Sequence, residues 1–527
     1  MQLIYAISLA IRLILIVFLT TACTQKLPGL VTAQNYSLEI KKEVLLTGFA
    51  SIYEHYIEIT SPSKITIEGL QGLRSIDPTI TFESVEGELI MRVKNELAGR
   101  LYTPKNNEIS SWAELLVKII ALSRLKSKEM RGAKSDKIYE AVFDSILAGF
   151  DIHSRYAGAS EARRNREKRD GFGGVGVRFS IIGGLPQLTK ILPDMPAFKA
   201  GMKLGDKITH VGTKSLNGLK KSEVTDKFRG PVGTFLSLTV DREVEGKQLE
   251  FKIKRALITT KSVSYERNDG IVFLKINNFS QQTARHTEKQ LKRVQTDLGK
   301  NLKGIILDLR GNSGGILEQS IKVANLFLMN GRISETRGRH PDSLQIYDAS
   351  GQDMAYGRPI IVLVDGKSAS AAEVIAAALQ DQGRAIILGT SSFGKGTVQT
   401  VIRLPNDGEI TLTWSHLITP SGYKLQGLGV FPVVCTSGID GNNPDGYSVI
   451  KKALANKLRI KNLMKAWRKV SHLKEKKYPL LRSFCPPEQR KLKLESIVAT
   501  TLLLDKALYY STLNLTRTDL VFREYKK

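Results

Sequence analysis

Two serines and a lysine, set among small residues, are the groups in this sequence best suited to nucleophilic chemistry. Ser368 and Ser370 lie in GKSASAAEVIAAALQD (Gly366 to Asp381), straight after the apolar run RPIIVLV (Arg358 to Val364). The run reads as a buried strand and the Ala- and Leu-rich continuation as a helix, which puts the serines at a helix mouth. Lys395 lies in FGKGTVQ (Phe393 to Gln399), between Gly394 and Gly396. A neutral lysine amine can take the proton of an attacking serine. An ordinary lysine titrates near 10.4, so burial and the positive end of the helix must lower it by roughly 3 units. No acid stands beside Lys395 in sequence; Glu373 and Asp381 are on the helix side. Gln399 is four residues on, and in an extended segment its amide shares a side with the lysine and can hold it.

A second stretch could serve the same reaction. GIILDLRGNSGG runs from a continuous apolar strand into a turn, Arg310 to Gly315, and then a helix. Ser313 in GNSGG resembles the GDSGG of trypsin-like proteases. That fold is all-β, whereas this serine lies between a strand and a helix, so the likeness is set aside. The glycines matter more, because backbone N–H groups at a helix N-terminus can hold a developing oxyanion. Gly171 to Gly176 (GFGGVG) fits GxGxxG, but a charged run precedes it and a strand, not a helix, follows. It therefore fails the dinucleotide fingerprint and reads as a loop offering N–H groups to a carboxylate.

The chain has 527 residues, 42% hydrophobic and 24% charged, enough for about three globular domains. Its net charge of +27 gives a basic surface. Anionic lipid or an acidic surface suits that charge; nucleic acid does not, since the basic residues are not interleaved with aromatics. Cys23, Cys435 and Cys485 form no CxxC pair and the seven histidines are scattered, so neither a metal nor a cofactor is expected. Residues 1–22 are almost wholly apolar apart from Arg12 and read as a signal peptide or membrane anchor. Thr20-Thr21-Ala22-Cys23 resembles a lipoprotein cleavage box, with Thr20 where that pattern prefers Leu. Lipidation at Cys23, simple cleavage and an uncleaved anchor all remain open. In each case the body is exported, to the periplasm or another extracytoplasmic space, with membrane association through the N-terminus. A Cys435–Cys485 disulfide is then permissible, as are two free thiols.

Further elements follow in order. TSPSKITIEGLQGLRSID reads as a capped helix, with a turn at Ser61-Pro62-Ser63. Helical spacing runs through Trp112, Leu115, Leu116, Ile119 and on to Ile146. DIHSRY (Asp151 to Tyr156) is a tight turn in which His153 reads as structural. The charged run Glu161 to Asp170 marks a boundary near residue 168. Strand-rich sequence follows to about residue 256, and an α/β rhythm restarts at Gly270. The tail, 437–527, is helical and basic; WRKVSHLKEKKYPLL reads as a solvated face packed on the core rather than a membrane-lying segment.

Residues 171–256 resemble a PDZ domain, through Gly174-Val175-Gly176-Val177, Pro196-Ala197, Leu204-Gly205-Asp206 and Arg229-Gly230-Pro231-Val232-Gly233. From Ile138 to Pro432 the chain resembles the C-terminal processing, tail-specific serine proteases with a Ser–Lys dyad. DIHSRY, LDLRGNSGG, SASAAEVIAAALQD, FGKGTVQ and TPSGYKLQGLGVFP come in that family's order and spacing. Lys395 follows Ser370 by 25 residues, the family's interval, which favours Ser370 over Ser368. Where the family usually has a serine this chain has Ala372, a position that is not catalytic.

The resemblance implies a multidomain α/β and α+β protein, with a crotonase-like α/β protease core and an inserted PDZ domain between N- and C-terminal helical regions. The expected divisions are 1–22, 23–168, 169–258 (PDZ), 259–436 (protease core) and 437–527. It implies Ser370 as nucleophile, Lys395 as base, Gln399 as its support, and an oxyanion site from the N–H of Ala371 and of Gly314 or Gly315. Gly174, Val175, Gly176 and Val177 would take the free C-terminus of a protein substrate, either selecting it or gating the site. Homo-oligomerisation stays open. Two other classes compete: an inactive PDZ scaffold, and a non-proteolytic acyl hydrolase on the same core. Intact Ser370, Lys395 and Gln399 argue against the first, and the PDZ resemblance against the second.

Overall fold

The computed structural model describes residues 33–105, 107–259, 262–440, 445–470, 476–490 and 493–517. Residues 1–22 and Cys23 lie outside these. Among the described residues no helix is long and apolar enough to cross a membrane. The described residues divide into two compact units, one within 33–54, 59–159 and 402–410, the other within 55–58, 160–401 and 411–517.

The first unit is less uniformly helical than expected. Helices Pro62–Gly72, Ile109–Lys126 and Ser135–Ala148 accompany a three-stranded antiparallel sheet of Ile80–Val85, Glu88–Val93 and Glu96–Tyr102. The pairings Val85↔Glu88 and Val93↔Glu96 leave two-residue loops, Glu86-Gly87 and Lys94-Asn95, whose φ angles are all positive. This is the tight hairpin geometry that matches strand twist, carried here mostly by residues other than glycine. Ser61 is a helix cap rather than a free turn, its hydroxyl accepting from the Lys64 amide at 3.1 Å. His153 sits in a turn closed by Asp151, which accepts from the amides of His153 (2.7 Å) and Ser154 (2.9 Å).

The second unit begins with a PDZ-like domain. Its antiparallel sheet runs in the order Lys247–Lys254, Phe235–Arg242, Lys207–Val211, Leu185–Ile191, Val177–Ile182, with helices Pro196–Lys199 and Lys221–Phe228. Val175, Phe179, Ile208, Val224 and Phe228 belong to its own apolar core. A two-stranded ribbon, Phe172–Gly174 with Ala256–Ile258, brings the chain's entry and exit together.

The larger part of the second unit is built on a six-stranded sheet whose strands follow sequence order: β1 (Val263–Asn268), β2 (Ile271–Ile276), β3 (Gly304–Asp308), β4 (Ile360–Val364), β5 (Ile386–Gly389) and β6 (Val434–Cys435). β1 is antiparallel to β2, and the rest are parallel. Helices α1 (Thr283–Leu298), α2 (Leu317–Asn325) and α3 (Ala371–Asp381) make the crossovers. Right-handed crossovers in one direction put all three on the same face. Every residue of β3, β4 and β5 is nevertheless buried, so the other face must be covered too. The tail does this. Helix α4 (Leu494–Leu504) packs on β3, β4 and β5, and Trp467 and Met464 of α5 (Lys457–Lys469) join the same apolar core. Cys435 at the end of β6 is disulfide-bonded to Cys485.

Candidate active site

β4 runs straight into Asp365, and the turn there makes the two serines different. Asp365 Oδ1 accepts from the amides of Gly311 (2.9 Å), Lys367 (3.0 Å) and Ser368 (3.1 Å). The Ser368 hydroxyl is wholly buried, donates to the Leu309 carbonyl at 2.9 Å and accepts from the Asp365 amide at 2.9 Å. Ser368 is thus a fastener of the strand end. Ser370, partly exposed, is the residue from which α3 springs, with φ 55° and ψ −117°. That backbone is rare for a side chain bearing Cβ and persists only where its surroundings impose it.

The imposing group is Glu373, one turn into α3 and 0% exposed. Its Oε2 accepts from the amides of Ser370 (2.7 Å) and Lys395 (2.9 Å). Its Oε1 accepts from the Gly394 amide (2.6 Å) and the Ser392 hydroxyl. The Ser392 oxygen itself accepts from the Val430 amide at 2.7 Å, so its proton is directed at Glu373. Four donors and no acceptor face this carboxylate, which is the environment of the ionised form. Burial pushes its pKa above the ordinary range, and the four donors pull it back. Glu373 joins the backbones of serine and lysine through one oxygen atom, and the sequence reading left it aside. The signal was present: Ser370-Ala371-Ala372-Glu373 has the S-x-x-E spacing of a helix start.

The glycines beside Lys395 have a packing reason. A Cβ on Gly396 would lie 1.9 Å from the Gln426 amide nitrogen, and Gly394, at φ +90°, would meet the Gly427 backbone at 3.1 Å. The lysine segment is pressed against residues 425–430, with Gly427 N–H donating to the Gly394 carbonyl at 2.9 Å. Lys395 precedes the first residue of the strand Thr397–Arg403, so the two-residue alternation invoked for Gln399 does not extend to it. The Gln399 amide nitrogen donates to the hydroxyls of Thr397 (2.9 Å) and Thr413 (3.3 Å).

The turn after β3 lies against Ser370. A Cβ on Gly314 would fall 2.9 Å from the Ser370 Cβ and 2.8 Å from the Ala369 carbonyl oxygen. Asn312, buried, donates to the Ile276 carbonyl and accepts the Gly314 amide, each at 2.8 Å. The Gly314 N–H is therefore committed to Asn312, which corrects its expected use as an oxyanion donor; its contribution is close approach. Neither Gly315 N–H nor Ala371 N–H has a hydrogen-bond acceptor among the described residues. Gly315 stands at φ +140° with no room for a side chain: a Cβ there would lie 2.1 Å from the Phe279 carbonyl oxygen.

In the PDZ-like domain, Gly174 belongs to the entry ribbon and Val175 to the apolar core, its carbonyl accepting from Ala197 at 2.9 Å. Gly176 turns at φ +82°, and Val177 opens an edge strand with one side unpaired within the sheet.

A model of peptidase family S41 matches residues 270–434. A carboxy-terminal-processing protease of Bartonella bacilliformis is 37% identical over 346 residues, 65% of this chain and 80% of that protein. A probable CtpA-like serine protease of Staphylococcus aureus is 32% identical over 314 residues, 59% of this chain and 62% of that protein, so the match spans less than two thirds of the staphylococcal relative. Among solved structures, the photosystem II D1 C-terminal processing protease is 21% identical over 70% of this chain and 92% of its own, with a TM-score of 0.36. The extent and identity of the Bartonella match assign the chain: it belongs to peptidase family S41, among the carboxy-terminal-processing serine proteases.

Proposed function

We propose that this peptidase cleaves exported proteins near their C-terminus, with Ser370 as nucleophile and Lys395 as general base. The observation that carries this reading is Glu373, whose single oxygen Oε2 takes the amides of both residues. Ser370 Oγ attacks the peptide carbonyl while the neutral Lys395 amine takes its proton. The oxyanion is received by the N–H groups of Gly315 and Ala371. The lysine then gives its proton to the leaving amine, and water, deprotonated in the same way, releases the acyl group. Gln399, anchored through its amide nitrogen, supports the lysine with its carbonyl oxygen.

One expectation needs revision. Glu373 lies against the Lys395 backbone, so an acid does oppose a neutral lysine, and its charge is blunted by four donors. Desolvation by bound substrate must supply the rest of the shift. The sheet in sequence order supports a crotonase-like core, and the edge strand at Val177 supports docking of a substrate's C-terminal strand beside Gly174 to Val177. The Cys435–Cys485 bond fits an oxidising compartment, in keeping with residues 1–22 as an export signal or anchor and Cys23 as its lipid site.

Ser370→Ala and Lys395→Ala should each abolish cleavage of an unfolded test protein with the melting transition unchanged. Residual wild-type turnover in either variant overturns the dyad, and with both active the inactive-scaffold alternative falls as well.

A further inference from the structure

The tail that carries no family motif reaches the lysine segment through one residue. Arg482 ends the short helix Tyr478–Arg482, three residues before the disulfide-bonded Cys485. Its Nη2 donates to the carbonyls of Ser392 (2.9 Å) and Phe393 (3.4 Å), and its Nη1 to that of Leu428. It is partly buried and has no ion pair among the described residues. A guanidinium without a carboxylate, bonded only to backbone carbonyls, is a desolvated charge whose fixed fork matches what it holds.

What it holds is the approach to Lys395. Ser392 and Phe393 lead directly into Gly394 and Lys395, whose amides are bound by Glu373. Ser392 is also tied to Val430 through its amide (3.2 Å) and its hydroxyl (2.7 Å). Between these groups stands Gly429, at φ +74°, where a Cβ would lie 2.7 Å from Ser392 Oγ and 3.0 Å from Arg482 Nη1. The turn 392–395 is therefore gripped from two sides with matching polarity. The anion of Glu373 takes the N–H groups of Gly394 and Lys395, and the cation of Arg482 takes the carbonyls of Ser392 and Phe393. The two charges feel each other: burial pulls the Arg482 pKa down and Glu373 pushes it up. The disulfide fixes the segment bearing Arg482 to the end of β6, one edge of the catalytic sheet.

We propose that Arg482 is a positioning residue for peptide cleavage, clamping the Ser392 and Phe393 carbonyls so that the turn delivers Lys395 to Ser370. This rests on the dyad reading. Its charge has a consequence of its own. Among the described residues, the titratable groups set about the turn are Glu373 on α3, Tyr423, which the charge of Glu373 reaches, and Tyr478 and Arg482 from the tail. Of these only Arg482 is a cation, and it counters the pull of Glu373 on the lysine's proton.

The test compares Arg482→Met and Arg482→Lys with wild type in the full disulfide-bonded chain, measuring kcat and KM on an unfolded protein across pH. Arg482→Met should lose about tenfold or more in kcat with KM within about twofold. The rising limb of its kcat/KM profile should move to higher pH by on the order of half a unit, because the lysine then keeps its proton longer. Arg482→Lys should recover part of kcat and leave the limb at the wild-type pH. Should Arg482→Met fail to fold, the double variant Cys435→Ser with Cys485→Ser releases the same segment and should show the same loss of kcat. A folded Arg482→Met or cysteine double variant with wild-type kcat overturns the proposal. So does an Arg482→Lys no better than Arg482→Met. Lys395→Ala is run alongside: if it stays active the dyad falls and this proposal with it, whereas an inactive Lys395→Ala beside a wild-type Arg482→Met removes only the clamp.

Discussion

Replacing Glu373 by glutamine tests the centre of the site, and the geometry sets its size. The carboxylate accepts four hydrogen bonds, two on each oxygen. An amide keeps one acceptor oxygen and turns the other into a donor. Placed at the Oε2 position, the new N–H₂ would face two backbone amides, those of Ser370 and Lys395, and strand both. Placed at the Oε1 position it can donate to the Ser392 hydroxyl and strand only Gly394 N–H. The second orientation wins, since one unpaired buried donor costs about 1–3 kcal/mol and two cost about twice that. If the cost falls on the alignment of Ser370 with Lys395, Glu373→Gln loses about tenfold to a hundredfold in kcat. Glu373→Ala strands all four donors and should lose at least ten times more, about a further 1.4 kcal/mol or above. Removing the negative charge also eases loss of the lysine's proton, so the rising limb of the Glu373→Gln profile should move to lower pH. The assay is steady-state cleavage of an unfolded protein across pH, with circular dichroism confirming the fold. Wild-type kcat in Glu373→Gln, or an alanine variant no worse than the glutamine one, would refute the argument.

Three further expectations follow from the same geometry. Ser368→Ala removes a buried hydroxyl that binds Leu309 and Asp365, so it should lower stability by about 1–3 kcal/mol in denaturant titration while keeping measurable turnover; complete loss of activity in a stably folded Ser368→Ala would reopen the choice of nucleophile. On acidification, Glu373, raised by burial, protonates before Asp308, which burial also pushes up but which Arg310's hydrogen bonds and charge hold below its ordinary value. A raised carboxyl loses its stabilising contribution as pH rises through the folded pKa, so protonating Glu373 removes geometry rather than stability. Asp308 contributes stability that is present above about 3.9 and lost as pH falls through its depressed folded value. Between the two there should be a window of folded, reversibly inactive enzyme, and coincident loss of activity and ellipticity would contradict this. Finally, capping a substrate's terminal carboxylate as an amide should raise KM; unchanged kinetics would remove the docking role of Gly174 to Val177.

Much of this molecule was legible in local pattern. The apolar runs of β3 and β4 announce strands buried on both faces, and the small residues from Ser368 to Ala372 announce a helix start. Ser368, Ser370 and Lys395 stood out by residue type among small neighbours, and the 25-residue interval of the resembled family singled out Ser370. The N-terminal sheet was less legible: Glu86-Gly87 and Lys94-Asn95 are hairpin turns in which only glycine and asparagine hint at positive φ. The tail read as packed on the core, but not as the cover of one sheet face, because what covers a face is decided by sheet order and not by helix pattern.

What the sequence determined by itself is the chemistry: serines at a helix mouth, a lysine between glycines, and glycines where a strand turns into a helix. What only the tertiary structure decided is which hydrogen bonds hold those groups. Ser368 and Ser370 are two residues apart, yet one hydroxyl is tied to the strand end and the other is left at the helix mouth. Gly314 and Gly315 are adjacent, yet Asn312 takes the amide of the first. Glu373 and Arg482 lie over a hundred residues apart in sequence, yet they grip the same four-residue turn from opposite sides. The reason is physical. Local sequence sets propensity and periodicity, whereas the pairing of a buried donor with its acceptor depends on which distant segments packing brings within about 3 Å.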